Sequence, residues 1–194
     1  MKRPILKYGD TRLRGKGKRI EEIDETIREL ASDMLETMRA ANGVGLAAQQ
    51  VGEALQLTVI DVSQAAERPS TMALNGEEVV PNEHMPLVLL NPEIQVGPEK
   101  EIAAEGCLSF PEISADIERS AWAKVRGQTL SGDRIEIEAT GLLARALQHE
   151  VDHLRGILFV DRMSSAAKAA LGSRLKRLQK ETSPTSGAKS YSAL

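Results

Sequence analysis

Gln148-His149-Glu150-Val151-Asp152-His153-Leu154 holds two of the three histidines in a chain that has a single cysteine. On a helix, residues four apart share a face, so His149 and His153 can present both imidazoles to one ion with Glu150 beside them as a base. The same five-residue H-E-x-x-H pattern also describes a polar helix face with two ordinary histidines, so the rest of the chain has to decide. Working outward, Thr140-Gly141 reads as the start of this helix and Gly156 as its end. Leu142, Ala146, His149 and His153 fall on one stripe, and Leu143, Leu147 and Leu154 on the adjoining one. The histidines therefore face inward.

Upstream, Ile23, Ile27, Leu30, Ala31, Met34, Leu35, Met38 and Ala41 recur at spacings of three and four, which predicts an amphipathic helix ending at Asn42-Gly43. Residues 55–62, 87–90 and 94–96 read as strands, as do 116–128 and 134–138, the last two joined by a Ser131-Gly132-Asp133 turn. Residues 63–86 lack periodicity and read as an inserted surface loop or hairpin excursion. A third helix is expected from Ser164 or Ser165 to about Lys180, followed by a polar tail over 181–194 expected to be disordered. One domain over 1–180 with antiparallel sheet, α+β in class, is the natural result.

Composition narrows the function. The chain has 194 residues, 41% hydrophobic and 27% charged, enough for one buried core without disulfides. No apolar run approaches the roughly 20 residues needed to span a bilayer, and Pro4-Ile5-Leu6 is too short for a secretory signal, so the expected compartment is the cytoplasm. The net charge of −3 argues against a general polyanion binder, DNA included. A single Cys107 excludes an intramolecular disulfide.

Two histidines hold a metal poorly, and a catalytic site needs a third ligand with one position left open. Cys107, in Glu105-Gly106-Cys107-Leu108-Ser109, reads equally as that ligand or as a small buried hydrophobe. Gly43-Val44-Gly45-Leu46-Ala47-Ala48-Gln49-Gln50 reads either as a turn before a strand or as a place for close backbone approach followed by a carboxamide donor. It lacks the lysine of a phosphate-binding loop, so nucleotide binding is not expected.

In this order the three segments resemble the peptide deformylases, whose marks are G-x-G-x-A-A-x-Q, E-G-C-L-S and Q-H-E-x-D-H-L, here Gly43 to Gln50, Glu105 to Ser109 and Gln148 to Leu154. The likeness extends over about residues 4–180. It implies antiparallel sheets packed around a central metal-binding helix, with a C-terminal helix. It also implies that Cys107, His149 and His153 bind one divalent metal, usually Fe2+, with Zn2+, Ni2+ or Co2+ as substitutes, and that water completes the set. Glu150 is the implied proton carrier, and the Gln50 side chain and Leu108 N–H the oxyanion donors.

The implied substrate is an N-formylmethionyl nascent peptide, lying extended against the backbone of Val44, Gly45 and Leu46 and of Ala103 to Gly106, Glu105 and Gly106 foremost. Its methionine is expected in a pocket of Val44, Leu142, Ala146 and the stem of Arg145. Asp152 and Glu105 are candidates to orient histidines or brace Arg119. His84 reads as a surface histidine and Trp122 as packing.

Three other readings stay on the table. An H-E-x-x-H metallopeptidase needs a downstream ligand, for which only Asp161 offers itself. A cysteine hydrolase built on Cys107 would survive metal removal. A ribosome-associated binding module is suggested by Lys168, Arg174, Lys176, Arg177 and Lys180 on the third helix, and in the bacterial family this helix can dock on the ribosome, so that reading and catalysis need not compete.

Overall fold

The first helix, α1 (Glu25–Ala40), begins where the extended Asp24 accepts a hydrogen bond from Ile27 N, satisfying one of the N–H groups that a helix start leaves orphaned. It ends where Asn42 takes a left-handed conformation at φ 53°. The structure, a computed structural model, describes residues 1–65 and 67–182. Among these, nine strands follow: β1 (Gly45–Ala47), β2 (Leu57–Ile60), β3 (Met72–Leu74), β4 (Glu77–Val79), β5 (Leu87–Val96), β6 (Lys100–Gly106), β7 (Ser114–Ser120), β8 (Trp122–Gln128) and β9 (Arg134–Thr140). Seven form one sheet in the order β1-β2-β5-β8-β9-β3-β4, and β6 with β7 makes a separate ribbon. Every strand pair is antiparallel. Helices α2 (Gly141–Leu154), α3 (Phe159–Arg162) and α4 (Ser165–Thr182) complete the α+β fold.

The period-two alternation of strands places α1 and α2 on opposite faces of the large sheet. Leu57, Val59 and Leu90 join the cluster of Leu30, Met34 and Met38 from α1. Their neighbours Ile60 and Leu89 join Val125, Ile137 and the Leu143 and Leu147 side chains of α2. Each such leucine or isoleucine, fully buried, contributes on the order of 1.5–3 kcal/mol. The H-E-x-x-H helix is thus clamped between the sheet and the rest of the chain, and 12 of its 14 residues are buried.

Several expectations need amendment. Residues 87–90 and 94–96 are one strand, kinked where Asn91 is left-handed and the register shifts between Leu90 and Glu93, with Pro92 unable to donate. The Asn91 carboxamide is not idle: it accepts from Ile20 N at 2.8 Å and donates to Ile20 O at 2.9 Å. Residues 116–128 divide at Ala121 into β7 and β8, which belong to different sheets. Residues 63–86 contain the β3-β4 hairpin, turned at Asn75-Gly76 with φ 52° and 89°, the Asn-Gly pairing that two-residue hairpins favour. This hairpin is joined to the sheet through β3 and β9, and Ser70 Oγ accepts from Leu143 N in the first turn of α2.

Helix α4 is capped by Ser164, whose Oγ accepts from Ala167 N, and takes in Glu181 and Thr182, two residues past the expected end. Residues 183–194, where the disordered tail is expected, lie outside the described residues. His84 is half-buried rather than free on the surface, at the end of a 3-10 turn, and Trp122 packs its ring edge near Gly97.

Candidate metal centre and active site

Helix α2 brings His149 and His153 one turn apart, with ring centroids separated by 4.9 Å. Cys107 arrives from the turn after β6, and its Sγ lies 3.3 Å from His153 Nε2. One donor atom from each of the three lies within 4.8 Å of the others. Asp161 is not in this group: it accepts from Leu158 N and forms an ion pair with Arg14, which removes the downstream ligand a metallopeptidase reading needs.

The surroundings fit a divalent cation. Glu105 Oε2 is 3.0 Å from His149 Nδ1, so the carboxylate fixes the ring and leaves Nε2 to face the cysteine. Burial opposes charge on His149, yet hydrogen bonds to Cys107 and Glu105 prevail and raise its pKa well above 6.5. His153 is pushed the other way by burial and by the charges of His149 and Arg119, which keeps it a neutral imidazole, the form that binds metal.

Behind the histidines lies a buried charge network. Arg119 donates through Nε and Nη2 to both oxygens of Glu105, at 2.8 and 3.0 Å, and through Nη1 to Asp152 Oδ2 at 2.6 Å. Arg145 Nη1 donates to Glu105 Oε1 at 2.8 Å, and Arg162 donates to both oxygens of Asp152, through Nε to Oδ2 at 3.0 Å and through Nη2 to Oδ1 at 2.6 Å. Burial raises the Glu105 carboxyl, but the hydrogen bonds from His149 and Arg119 outweigh it and hold the group well below the usual carboxylate range. Asp152 and Glu105 therefore brace Arg119. Arg145 adds a guanidinium to the network that its stem alone does not reveal, and Arg162 enters from α3, an element too short to leave a periodic signal.

Glu150, 3% exposed, has one carboxylate oxygen with no hydrogen-bond partner among the described residues. Burial raises its pKa to about 7 against the opposing charges of His149 and Arg119. Its carboxylate lies against β1: a Cβ added to Gly45 would stand 2.2 Å from Glu150 Oε1. A glycine here is a requirement of close approach. Gly45→Ala is therefore expected to displace the carboxylate and lower kcat about 100-fold, the scale of a 1 Å misplacement, with little change in the circular dichroism spectrum. Retention of parental kcat would show that Glu150 tolerates the shift.

The carboxamide of Gln50 is oriented by its Oε1, which accepts from Ala47 N at 2.9 Å. Its Nε2 is left to face Ser109 Oγ at 3.1 Å and Cys107 Sγ at 3.5 Å. The N-terminal segment straps the two halves of the site together. Leu6 N donates to Gln50 O, Lys7 Nζ to Leu108 O at 2.7 Å, and Tyr8 N to Ser109 O. Neither Lys7 nor Ser109 announces such a role by residue type, because the partners lie about a hundred positions away in the chain.

These groups meet in a cleft of about 700 Å³. Val44, Gly45, Gln50, Glu105, Gly106, Cys107, Leu108, Leu142, Arg145, Ala146, His149 and Glu150 all line it. His153 lies behind it, and Leu46 departs from expectation. The Leu46 side chain is 0% exposed and packs in the α1 cluster, because alternation along β1 turns it away from the cleft that Gly45 faces; only its backbone remains for a substrate.

A cysteine sulfur, two imidazoles of an H-E-x-x-H helix and a buried carboxyl group, gathered at one cleft of an α+β fold, define a metal-dependent hydrolase. Within that class the chain belongs to the polypeptide deformylase family, whose model matches residues 2–169. It is 44% identical over 176 residues to the peptide deformylase of Methylacidiphilum infernorum (isolate V4), covering 91% of this chain and 92% of that one. Among solved structures, the peptide deformylase from Thermotoga maritima superposes with a TM-score of 0.72 at 40% identity, covering 84% of this chain and 99% of that one. Arabidopsis thaliana peptide deformylase 1B, in complex with an inhibitor, superposes with a TM-score of 0.81 at 35% identity, covering 100% and 98%.

Proposed function

We propose that this chain removes the formyl group from the N-terminal formylmethionine of newly synthesised polypeptides, releasing formate, with Cys107, His149 and His153 as ligands of one divalent metal. The observation that carries the reading is the convergence of the Cys107 sulfur and both α2 imidazoles beside Glu150 and Gln50. When bound, the ion supplies Lewis-acid activation of water and polarises the formyl carbonyl. Glu150, with its free oxygen, takes the proton of the attacking water and passes it to the leaving amine. Gln50 Nε2 and the Leu108 N–H are the donors for the oxyanion that develops on the formyl oxygen. Ferrous iron is the proposed ion; the donor set also suits zinc, nickel and cobalt.

The peptide backbone adds as a strand between the free edges of β1, near Val44 to Leu46, and β6, near Glu105 and Gly106. The methionine enters the apolar wall formed by Val44, Leu142, Ala146 and the stem of Arg145. The catalytic unit is the span 1–180. No described helix is long and apolar enough to cross a membrane, and we place the enzyme in the cytoplasm. The ribosome is a proposed partner through α4, where Lys168, Arg174, Lys176, Arg177 and Lys180 are all exposed while Leu175 anchors the helix to the core.

Anaerobically purified, iron-loaded protein is expected to release formate from formyl-Met-Ala-Ser, to lose that activity on chelation, and to regain it with iron or nickel. Activity that persists with no bound metal would favour a Cys107 nucleophile instead. Cleavage of internal peptide bonds without formate would favour a metallopeptidase.

A further inference from the structure

Three lysine or arginine side chains line the cleft, and two of them are committed within the protein. Lys7 donates to Leu108 O, and Arg145 is buried against Glu105, Ile117 O and Glu101 O. The third, Arg68, is exposed and has no carboxylate within ion-pair distance among the described residues. Its Nη1 lies 3.4 Å from Ala104 O. Its root is held on both sides: Arg68 N donates to Ala65 O at 2.9 Å, and two residues on, Ser70 Oγ is fixed to Leu143 N at the start of α2.

The position on β6 gives this contact its meaning. Strand β6 pairs only with β7, so a carbonyl that reaches Arg68 points along the edge that β7 leaves free. Gly106, two residues further along the same edge, lies next to Cys107, and two residues of extended chain span about 7 Å. A formylated peptide whose formyl group reaches Cys107, and which pairs with this edge, therefore brings its second or third residue after formylmethionine to Ala104 and Arg68. Of the acidic residues on the ribbon, Glu101, Asp116 and Glu118 do not line the cleft, and Glu105, which does, is held by Arg119, Arg145 and His149; Glu112 and Glu150 also line it, but neither forms an ion pair with Arg68 among the described residues.

Resting on the deformylase reading, we propose that Arg68 is a specificity-determining residue that favours formylated peptides carrying a carboxylate two or three residues beyond the formylmethionine. An acidic side chain or the terminal carboxylate of a short peptide supplies the same chemistry. The contact is solvent-facing, so the effect is moderate and salt-dependent.

The test compares kcat/KM for formyl-Met-Ala-X-amide with X as Glu, Gln or Lys, together with formyl-Met-Ala-Ser as free acid and as amide, using iron-loaded enzyme at low ionic strength. A Glu-to-Lys ratio of about five to ten is expected, falling toward one near 1 M salt, where the Debye length is about 3 Å. Arg68→Gln is expected to bring the ratio near one and Arg68→Glu to invert it, while Lys16→Gln, a charge loss at an exposed position outside the cleft, leaves the ratio as it was. A preference for the free acid over the amide of the serine peptide, lost in Arg68→Gln, also supports the assignment and identifies the terminal carboxylate as its source. Formate release with parental ratios near one, or ratios unmoved by Arg68→Gln, overturns the Arg68 proposal alone. No formate from any peptide overturns the deformylase reading and this proposal with it.

Discussion

Glu150→Gln is expected to lower deformylation by about 10²- to 10⁴-fold while the protein keeps its metal and fold. The substitution preserves shape and leaves Cys107, His149 and His153 untouched, so metal content measured by mass spectrometry should match the parent. It removes the proposed carrier of the proton between water and the leaving amine. The same change should stabilise the metal-free protein at alkaline pH. Burial raises the folded-state pKa of Glu150 from 4.5 to about 7, so the protonated form is the favoured one in the fold. Stability from that proton is fully present below about 4.5 and is lost as pH rises through about 7.

At pH 8 the metal-free variant should therefore exceed the parent by on the order of 3 kcal/mol, and the advantage should vanish near pH 4. With a cation bound, its charge lowers the Glu150 pKa, which places the acidic limb of parental kcat/KM below about 7. A variant that keeps a tenth of the parental rate, or gains no stability at pH 8, would remove Glu150 from this role. A gain in stability paired with a loss of activity is what a desolvated catalytic carboxyl group should show.

The metal helix was legible because its signals are local. Apolar spacing, a glycine at each end and two histidines four apart are all written within about fifteen residues, and α2 follows them closely. Strand β6 was not legible. Lys100-Glu101-Ile102-Ala103-Ala104-Glu105-Gly106 has few β-branched or aromatic residues, and it is a strand because seven of its positions pair with β7. The ends of the elements shifted for a similar reason. Asn91-Pro92 reads as a break between strands, whereas the Asn91 carboxamide bridges Ile20 and Gln128 and carries the strand through the kink. In the site, residue type pointed to the candidate proton carrier and candidate metal ligands that the fold brings together, but not to their supports. Arg68 over β6, Lys7 on Leu108 and Arg162 on Asp152 are placed by tertiary contacts that no local pattern encodes.

Arg119→Met tests how far the metal centre depends on charges it never touches. The guanidinium is 5% exposed and bridges Glu105 to Asp152, so its removal leaves two buried carboxylates short of a partner. Breaking one side of a buried pair costs about 3–5 kcal/mol, which for a chain of this size lowers Tm by about 10 °C. Glu105 also holds His149 through Nδ1, so metal affinity should fall by about 10- to 100-fold as that carboxylate loses its anchor. The pH dependence follows from the depressed pKa of Glu105. Its stabilisation is present above the unfolded value of 4.5 and lost as pH falls through the folded value, so the gap between parent and variant should be widest near neutrality and close in acid. Arg145 still donates to Glu105 and Arg162 to Asp152, which sets a floor under the loss. Combining Arg119→Met with Glu105→Gln should then cost less than the sum of the two single changes, because the second removes the charge that the first left unpaired. Additive losses in urea unfolding, or unchanged metal affinity in Arg119→Met, would mean that the network only fills space behind α2 and that His149 is held by packing alone.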